Sequence, residues 1–592
     1  MGTSRIWLAG AVLCVSGLVS CVSGEATESE EPTPTFVDPV TLSQNRCGGK
    51  TAPLSGQDTA ATALADVSFD YGKPFALPDD VVAHFHYPVA TDSDLAQGWF
   101  DTGLAHMANF NHDEAIAAFR EAQRQDPACA MCFWGEGFAF GSNINAPFEP
   151  ARGAAGLVAA KKASELADTA SEKEAALISA LAARYRKQDG EVVEDAAAFA
   201  DRMDVVSRTY SDDKLILALA AEANMDTQPW DYWQAGSRVP KGRTARTLEL
   251  LETALDIDAK FAPSIHLYIH ATEASTDPFR AEGFADTLHQ HDLGIGHLVH
   301  MPSHIYLRLG RWKKSIDANI DAIAADEAYI ASSENAAFYG AVYYPHNVHF
   351  VIANAQLGGD ADTAISMADK LGKIVEMDPD APSPLVEHVA AAEVFTALQF
   401  GSDEDVLARE EPPAAHLYLR MAWHYARGVV FARQGEMAKA SRELASLKAL
   451  SDAPGFDTYA MYGAPLPGLV DVASLTLEGR LAAAEGEYGA AIHSLEAAAD
   501  AQQQLPYFEP AWWYYPTRQT LGAYLLLDGQ TDRAEREFFK TLIDSPNNAY
   551  ALYGLAETYE AAGNERSAAY ARHLFEEAWL GEDDAVPTLA DL

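Results

Sequence analysis

One spacing recurs along this chain too often to be chance. A small residue stands twelve positions before an alanine at Gly103/Ala115, Gly428/Ala440, Gly479/Ala491, Gly522/Ala534 and Ala556/Ala568, and turn glycines follow the small residue at Gly435, Gly486, Gly529 and Gly563. Weaker copies sit at Ser303/Ser315 and Ile352/Ala364. Ala, Leu, Glu and Arg recur at helical spacing through most of residues 95–580, while strand signals are scarce. A unit of two helices cannot bury its apolar face alone, so consecutive units must stack. The prediction is an all-α helical-repeat solenoid with a concave groove. Residues 140–250 fit the spacing poorly, and Trp230-Asp231-Tyr232-Trp233 with Gly236, Pro240 and Gly242 reads as a loop whose aromatics plug an end of that groove.

The fullest copy is Trp99-x3-Gly103-x11-Ala115-x3-Phe119-x2-Ala122-x4-Pro127. It resembles the tetratricopeptide repeat, a helix-turn-helix unit. The resemblance implies that small residues let two helices cross closely while large ones fill the gap, and that the units wind into a right-handed superhelix. On this reading residues 61–250 form an N-terminal tetratricopeptide-like region, 251–375 a histidine-rich set of repeats, and 376–592 the C-terminal repeats.

The first sixty residues read differently. Arg5, the apolar run Ile6 to Val19, and the closing Leu18-Val19-Ser20-Cys21 form an export signal too short to remain as a membrane span. The tetrapeptide resembles the lipobox of bacterial lipoproteins, which implies a thioether lipid on Cys21 and removal of residues 1–20. Residues 21–60, acidic and proline-containing, are expected to be a flexible tether. Val22 after the cysteine points to the outer membrane of a bacterial envelope, facing periplasm or surface, with the lipid as the sole membrane contact. A net charge of −44 sets nucleic acid aside as a default partner. Cys129 and Cys132 are open to three readings: a disulfide, a soft-metal site or two buried thiols. Two cysteines three apart within a helix are awkward for a relaxed disulfide. Cys47 leaves the count odd.

Histidine carries the chemistry. His266-x3-His270-x2-Glu273 places three potential ligands on successive turns of one helix face, and His297-x2-His300-x3-His304 follows. His300 and His304 lie thirty-four residues after His266 and His270, so the two pairs occupy equivalent places in adjacent units. Taking Ile352 as the crossing residue of the next unit, His349 matches His300 and His346 matches His297. In tetratricopeptide geometry such positions face the groove, which implies that His266, His270, His297, His300, His304, His346 and His349 converge with Glu273 at their margin. Three or four imidazoles and a carboxylate suit a transition metal, with Zn, Cu and Fe as candidates, in one or two sites. His289 and His291 are out of register and read as turn residues.

The phrases at 266–273, 296–306 and 344–350, together with Asn109-Phe110-Asn111-His112, Cys129-Ala-Met-Cys132 and Trp513-Tyr514-Tyr515-Pro516, also resemble a group of exported bacterial tetratricopeptide proteins. That resemblance implies a shared polar groove and names no reaction. Tyr268, Tyr306 and Arg518 are candidate groove residues, as are Asn143, Asn145, His84 and His86; the Trp-Tyr cluster at 512–515 is expected to pack repeats together. No nucleotide-binding or common hydrolase motif is present in context. Two functions follow. One is a lipid-anchored scaffold whose groove binds a protein or peptide, with a metal in the groove. The other is a metal-dependent hydrolase or oxidoreductase with Glu273 as acid or base.

Overall fold

The computed structural model describes residues 69–592 except 235, 292, 380–381, 462, 514 and 583–585. The signal, Cys21, the tether and Cys47 lie outside the described residues. Each spacing pair resolves into an antiparallel helical hairpin. The first is α1 (Asp94–Ala108) with α2 (His112–Gln125). Gly103 and the following helix α3 (Ala130–Ala139) show why glycine is needed: a Cβ on Gly103 or on Gly135 would come within 2.5 Å of the Phe119 ring, which lies between them wholly buried. Phe538 repeats the device between Gly522 and Gly554. All-α architecture is thereby realised from one steric rule, and no helix among the described residues is long and apolar enough to cross a membrane.

The turns share one geometry. The residue after the first helix adopts a left-handed backbone and the next N–H reaches back five residues: Arg311 to Tyr306, Asp360 to Ala355, Glu436 to Phe431, Glu487 to Ala482, Gln530 to Leu525 and Asn564 to Tyr559. In those six turns the left-handed residue is glycine. In the first hairpin Asn111 reaches back to His106 in the same way, yet the left-handed position is Phe110, at φ 55°.

Residues 140–250 depart from the pattern as their sequence suggested, and they hold an element that sequence periodicity missed. A two-stranded antiparallel hairpin, β1 (Tyr185–Gln188) and β2 (Glu191–Glu194), turns at Asp189-Gly190, both at positive φ. Arg184 is buried beside it and pairs with Glu194 at 2.5 Å and Asp226 at 3.4 Å. Helix α4 (Pro150–Glu165) packs on the hairpin; α5 (Glu172–Leu181), α6 (Ala196–Thr209) and α7 (Lys214–Met225) complete the region, and α8 (Thr244–Ile257) leads on to the histidine-rich units.

Cys129 and Cys132 form a disulfide. The objection to a helical pair does not apply, because Cys129 is the extended N-cap of α3 rather than part of the helix, which brings the Cα atoms to 5.4 Å. Trp513 packs against Phe395 and Tyr425 between repeats.

Two long-range closures bend the array around the histidines. Asn335 exchanges hydrogen bonds with the backbone of Asp70, and Tyr329 donates to Glu114 at 2.8 Å. At the other end Trp312 donates to the Asn547 carbonyl at 2.8 Å, and the Leu580 N–H bonds to Gly358.

Candidate metal centre

The histidines come from three successive first helices. His266 and His270 lie on α9 (Ala262–Glu273); His297 and His300 lie on the short helix α10 (Gly296–His300). Pro302 cannot donate a backbone hydrogen bond, so the chain breaks there and restarts as α11 (Pro302–Arg308), which carries His304. The second helix of this unit is α12 (Trp312–Ser332), and α13 (Ala337–Gly358) carries His346 and His349. The start of α10 is held by the Tyr339 hydroxyl, which accepts from the His297 N–H, and by Asn109, whose Oδ1 accepts from Leu298.

Two histidine triads result. His266, His270 and His297 bring ring nitrogens within 4.8 Å of one another, and His300, His304 and His346 do the same. The second triad is the first moved along by one repeat: a His-x3-His pair, on α9 in one unit and across the α10–α11 break in the next, is completed by the histidine that stands three residues ahead of the next unit's pair. In the third unit the pair fails, because Ala353 stands four residues after His349. His349 accordingly lies outside both triads and packs on His388, with ring centroids 4.9 Å apart. A third group, Glu273, His304 and Glu509, also has its ligand atoms within 4.8 Å. These groups could hold a metal ion.

Hydrogen bonds fix which nitrogen is free. His266 Nδ1 bonds the Ala108 carbonyl at 2.7 Å, His270 Nδ1 bonds Glu273 at 2.8 Å, His300 Nδ1 bonds Asn319 Oδ1 at 2.6 Å, and His304 Nδ1 bonds Glu509 at 2.7 Å. A carbonyl or carboxylate oxygen can only accept, so each Nδ1 carries the hydrogen and each neutral ring presents a lone pair at Nε2. The Nε2 atoms of His266 and His270 and both ring nitrogens of His297 are buried without a hydrogen-bond partner. An orphaned buried polar atom costs roughly 1–3 kcal/mol, so several within one small sphere require a compensating ligand. In the second triad His300 Nε2 and His304 Nε2 face each other at 2.8 Å. A proton on His304 Nε2 satisfies both as a hydrogen bond, and a metal ion bound to the two nitrogens would take that proton's place.

Electrostatics separate His304 from the rest. Burial pushes His266, His270, His297 and His300 well below the usual imidazole value, and His346 down to about 3, so these rings are neutral donors at pH 7. Burial works against charge on His304 too, but Glu273 at 2.6 Å and Glu509 at 2.7 Å outweigh it and raise its pKa to about 10. A proton on His304 thus occupies the place a metal would take. Burial, reinforced by Glu273, raises Glu509 to about 7.

Glu273, expected at the margin, lies wholly buried between the triads, with one oxygen on His270 and the other beside His304. Its second oxygen makes a close ion pair without a hydrogen bond of its own, because the single His304 N–H is directed at Glu509. Tyr268 and Tyr306 point elsewhere. Each lies two residues from a ligand histidine, about 200° around the helix, and they bond Glu252 and Asp286 on the far side. Arg518 pairs with Glu537 at 2.8 Å, away from the histidines. His84 stacks on His291, and His86 pairs with Asp101 at 2.7 Å.

The triads open on a cavity of about 1160 Å³, lined by His270, His297, His304, His346, Asn143 and Asn145 among others. Trp230 closes one side with its ring edge on His270, as the loop reading expected. Four contributors were not read from sequence. Glu509 arrives on the connection 503–516 between repeats, which also sets the Pro510 carbonyl on His388 at 3.1 Å. Phe110 lies against His266, ring centroids 4.4 Å apart, and stacks parallel to His270 at 6.0 Å. A left-handed backbone at a residue with a Cβ costs about 1–2 kcal/mol, so packing on the histidines holds Phe110 where the other turns use glycine. Asn319 did carry a signal: it stands four after Ser315, where other units place Phe119, Leu495 and Phe538.

Residues 96–129 match the tetratricopeptide repeat family model. No curated protein matches the chain significantly. Similar solved structures include the human IFIT1 dimer with m7Gppp-AAAA, 12% identical over 87% of this chain and 95% of that one with a TM-score of 0.29. Naa15/Naa10 bound to HypK-THB is 12% identical over 83% and 90% with a TM-score of 0.21. The P58(IPK) TPR domain is 13% identical over 64% and 88% with a TM-score of 0.19.

Proposed function

We propose that this tetratricopeptide-repeat protein binds transition-metal ions in its two histidine triads and presents them to a small molecule held in the adjoining cavity. The observation that carries the reading is the Nε2 pattern. Four imidazoles are oriented by acceptors on Nδ1, the arrangement that fixes the tautomer of metal-ligating histidines; in the first triad the free nitrogens converge where no protein group satisfies them, and in the second those of His300 and His304 meet only each other. All-nitrogen donor sets suit Zn, Cu or Fe.

Three protein ligands leave coordination positions open toward the cavity, which is how catalytic metal sites differ from closed structural ones. Glu509 and Glu273 are the carboxylates placed to move a proton there, and this supports a metal-dependent hydrolase or oxidoreductase. A bound protein or peptide segment is the second reading, favoured by the mixed wall of Phe338, Tyr343, Asn143 and Asn145. The connection 503–516 already fills part of the groove beside His304 and His388, which favours the small molecule. The closing sequence around Cys21 supports placing the protein at a bacterial envelope on a lipid anchor.

The test is elemental analysis of the chain without its signal, prepared free of chelators and affinity histidines, beside His270→Ala and His304→Ala. We expect one or two ions per chain, with each variant losing the ion of its own triad. A folded protein that takes up no transition metal after reconstitution refutes the proposal.

A further inference from the structure

A second cavity, of about 910 Å³, lies behind the triads. Its inner walls are apolar side chains of α1, α7 and α9, among them Leu104, Met107, Leu219 and Leu267. It ends against His266 and Phe110. Phe110 lines the first cavity as well, so its ring is the partition between the two spaces. That partition is held on a left-handed backbone that its sister turns give to glycine.

Besides His266 at its end, one buried ionisable side chain, a carboxyl, faces this apolar space. Glu222 on α7 is 7% exposed, lines the cavity, and its carboxyl has no hydrogen bond or ion pair among the described residues. Its charged neighbourhood is unbalanced. Asp226 and Glu194 share the single guanidinium of Arg184, so Glu222 makes a third carboxyl for one cation. Outside, the mouth carries Glu172, Asp212, Asp213 and Asp258 against Lys173 and Lys214. Both lysines are already paired, Lys173 with Asp213 and Lys214 with Asp258.

An anion entering here meets like charge at the mouth and at the end of its path, and a neutral apolar molecule leaves Glu222 unsatisfied. We infer that the second cavity is a binding site for a small organic amine, its apolar body along α1, α7 and α9 and its ammonium on Glu222, with Phe110 as the wall between it and the triad cavity. The amine supplies the donor and the charge that Glu222 lacks. The site does not depend on the metal reading.

The test is calorimetric titration of the chelator-treated protein with hexylamine, hexanol and hexanoate, which share a chain and differ in head group. Hexylamine is expected to bind at least tenfold tighter than hexanol, and hexanoate more weakly than either. Glu222→Gln should bring hexylamine to within twofold of hexanol, and Leu219→Trp, which fills the cavity, should abolish all three. Phe110→Gly suits the left-handed turn and joins the two spaces, so it should tighten binding of dodecylamine relative to hexylamine. Equal affinity for the three probes, an amine preference that survives Glu222→Gln, or binding that survives Leu219→Trp overturns the inference. Repeating the titration on metal-loaded protein keeps it separate from the triads, since a chain that takes no metal should bind hexylamine all the same.

Discussion

Glu273→Gln is the substitution that tests the centre most sharply, because one side chain serves both triads. Its Oε1 accepts from His270 Nδ1 at 2.8 Å, and its Oε2 lies 2.6 Å from His304 Nδ1. Glutamine keeps the shape and loses the charge. Its carbonyl can still accept from His270, but its amide NH2 then faces the His304 N–H, donor against donor. Loss of such a partner costs about 10–100-fold in metal affinity, or ~1.4–2.7 kcal/mol for each ion. Competition titration against a chromophoric chelator, with cobalt absorption to distinguish the ions, should show both affinities reduced. The His304 triad should suffer more despite Glu509. Asn319→Ala touches only His300, so it should weaken one ion and leave the other. If Glu273→Gln leaves a folded protein with either ion bound at its original affinity, Glu273 does not bridge the triads and the assignment of Nε2 as the ligand atom fails.

Phe119→Ala removes a wholly buried ring wedged between Gly103 and Gly135 and should cost about 3–5 kcal/mol in chemical denaturation. Gly486→Ala tests the turn alone, since its Cβ meets nothing within 4 Å and its φ is +82°; a loss of ~1–2 kcal/mol is expected. Burial, with Arg152 nearby, lowers His112 to about 4. As pH falls below 6.5 the unfolded chain takes up that proton first, so stability drops between pH 6.5 and 4, by roughly 2 kcal/mol at pH 5. His112→Gln should flatten the acid limb of a stability-against-pH curve by that amount, and an unchanged limb would show that His112 is not buried neutral.

The hairpins were legible because their cause is local and repeats. Gly103 and Phe119, or Gly522 and Phe538, are a hole and its filler at constant separation, so spacing alone reveals them. The β1–β2 hairpin was not legible, since four-residue strands carrying Arg186, Lys187 and Glu191 show no apolar alternation. The Cys129–Cys132 bond depended on where α3 begins, a boundary that sequence places only loosely.

The same division runs through the centre. Register alone brought His266, His270, His300 and His304 into equivalent places, because a repeat thirty-four residues long returns a side chain to the same face. Sequence periodicity also implied that Glu273 joins them. The same periodicity sets Tyr268 and Tyr306 about 200° around the helix from the ligand histidines, so their place outside the cluster follows from spacing too, while their partners Glu252 and Asp286 do not. Glu509 comes from more than two hundred residues away on a connection without periodicity, and His388 and Phe110 meet the cluster only once the array bends back on itself. Helical spacing is a property of neighbours along the chain, and the sequence states it directly. The acceptors on Nδ1, the cavity and the partition at Phe110 are set by distances between units, which exist only when the long-range closures at Asn335 and Trp312 are made.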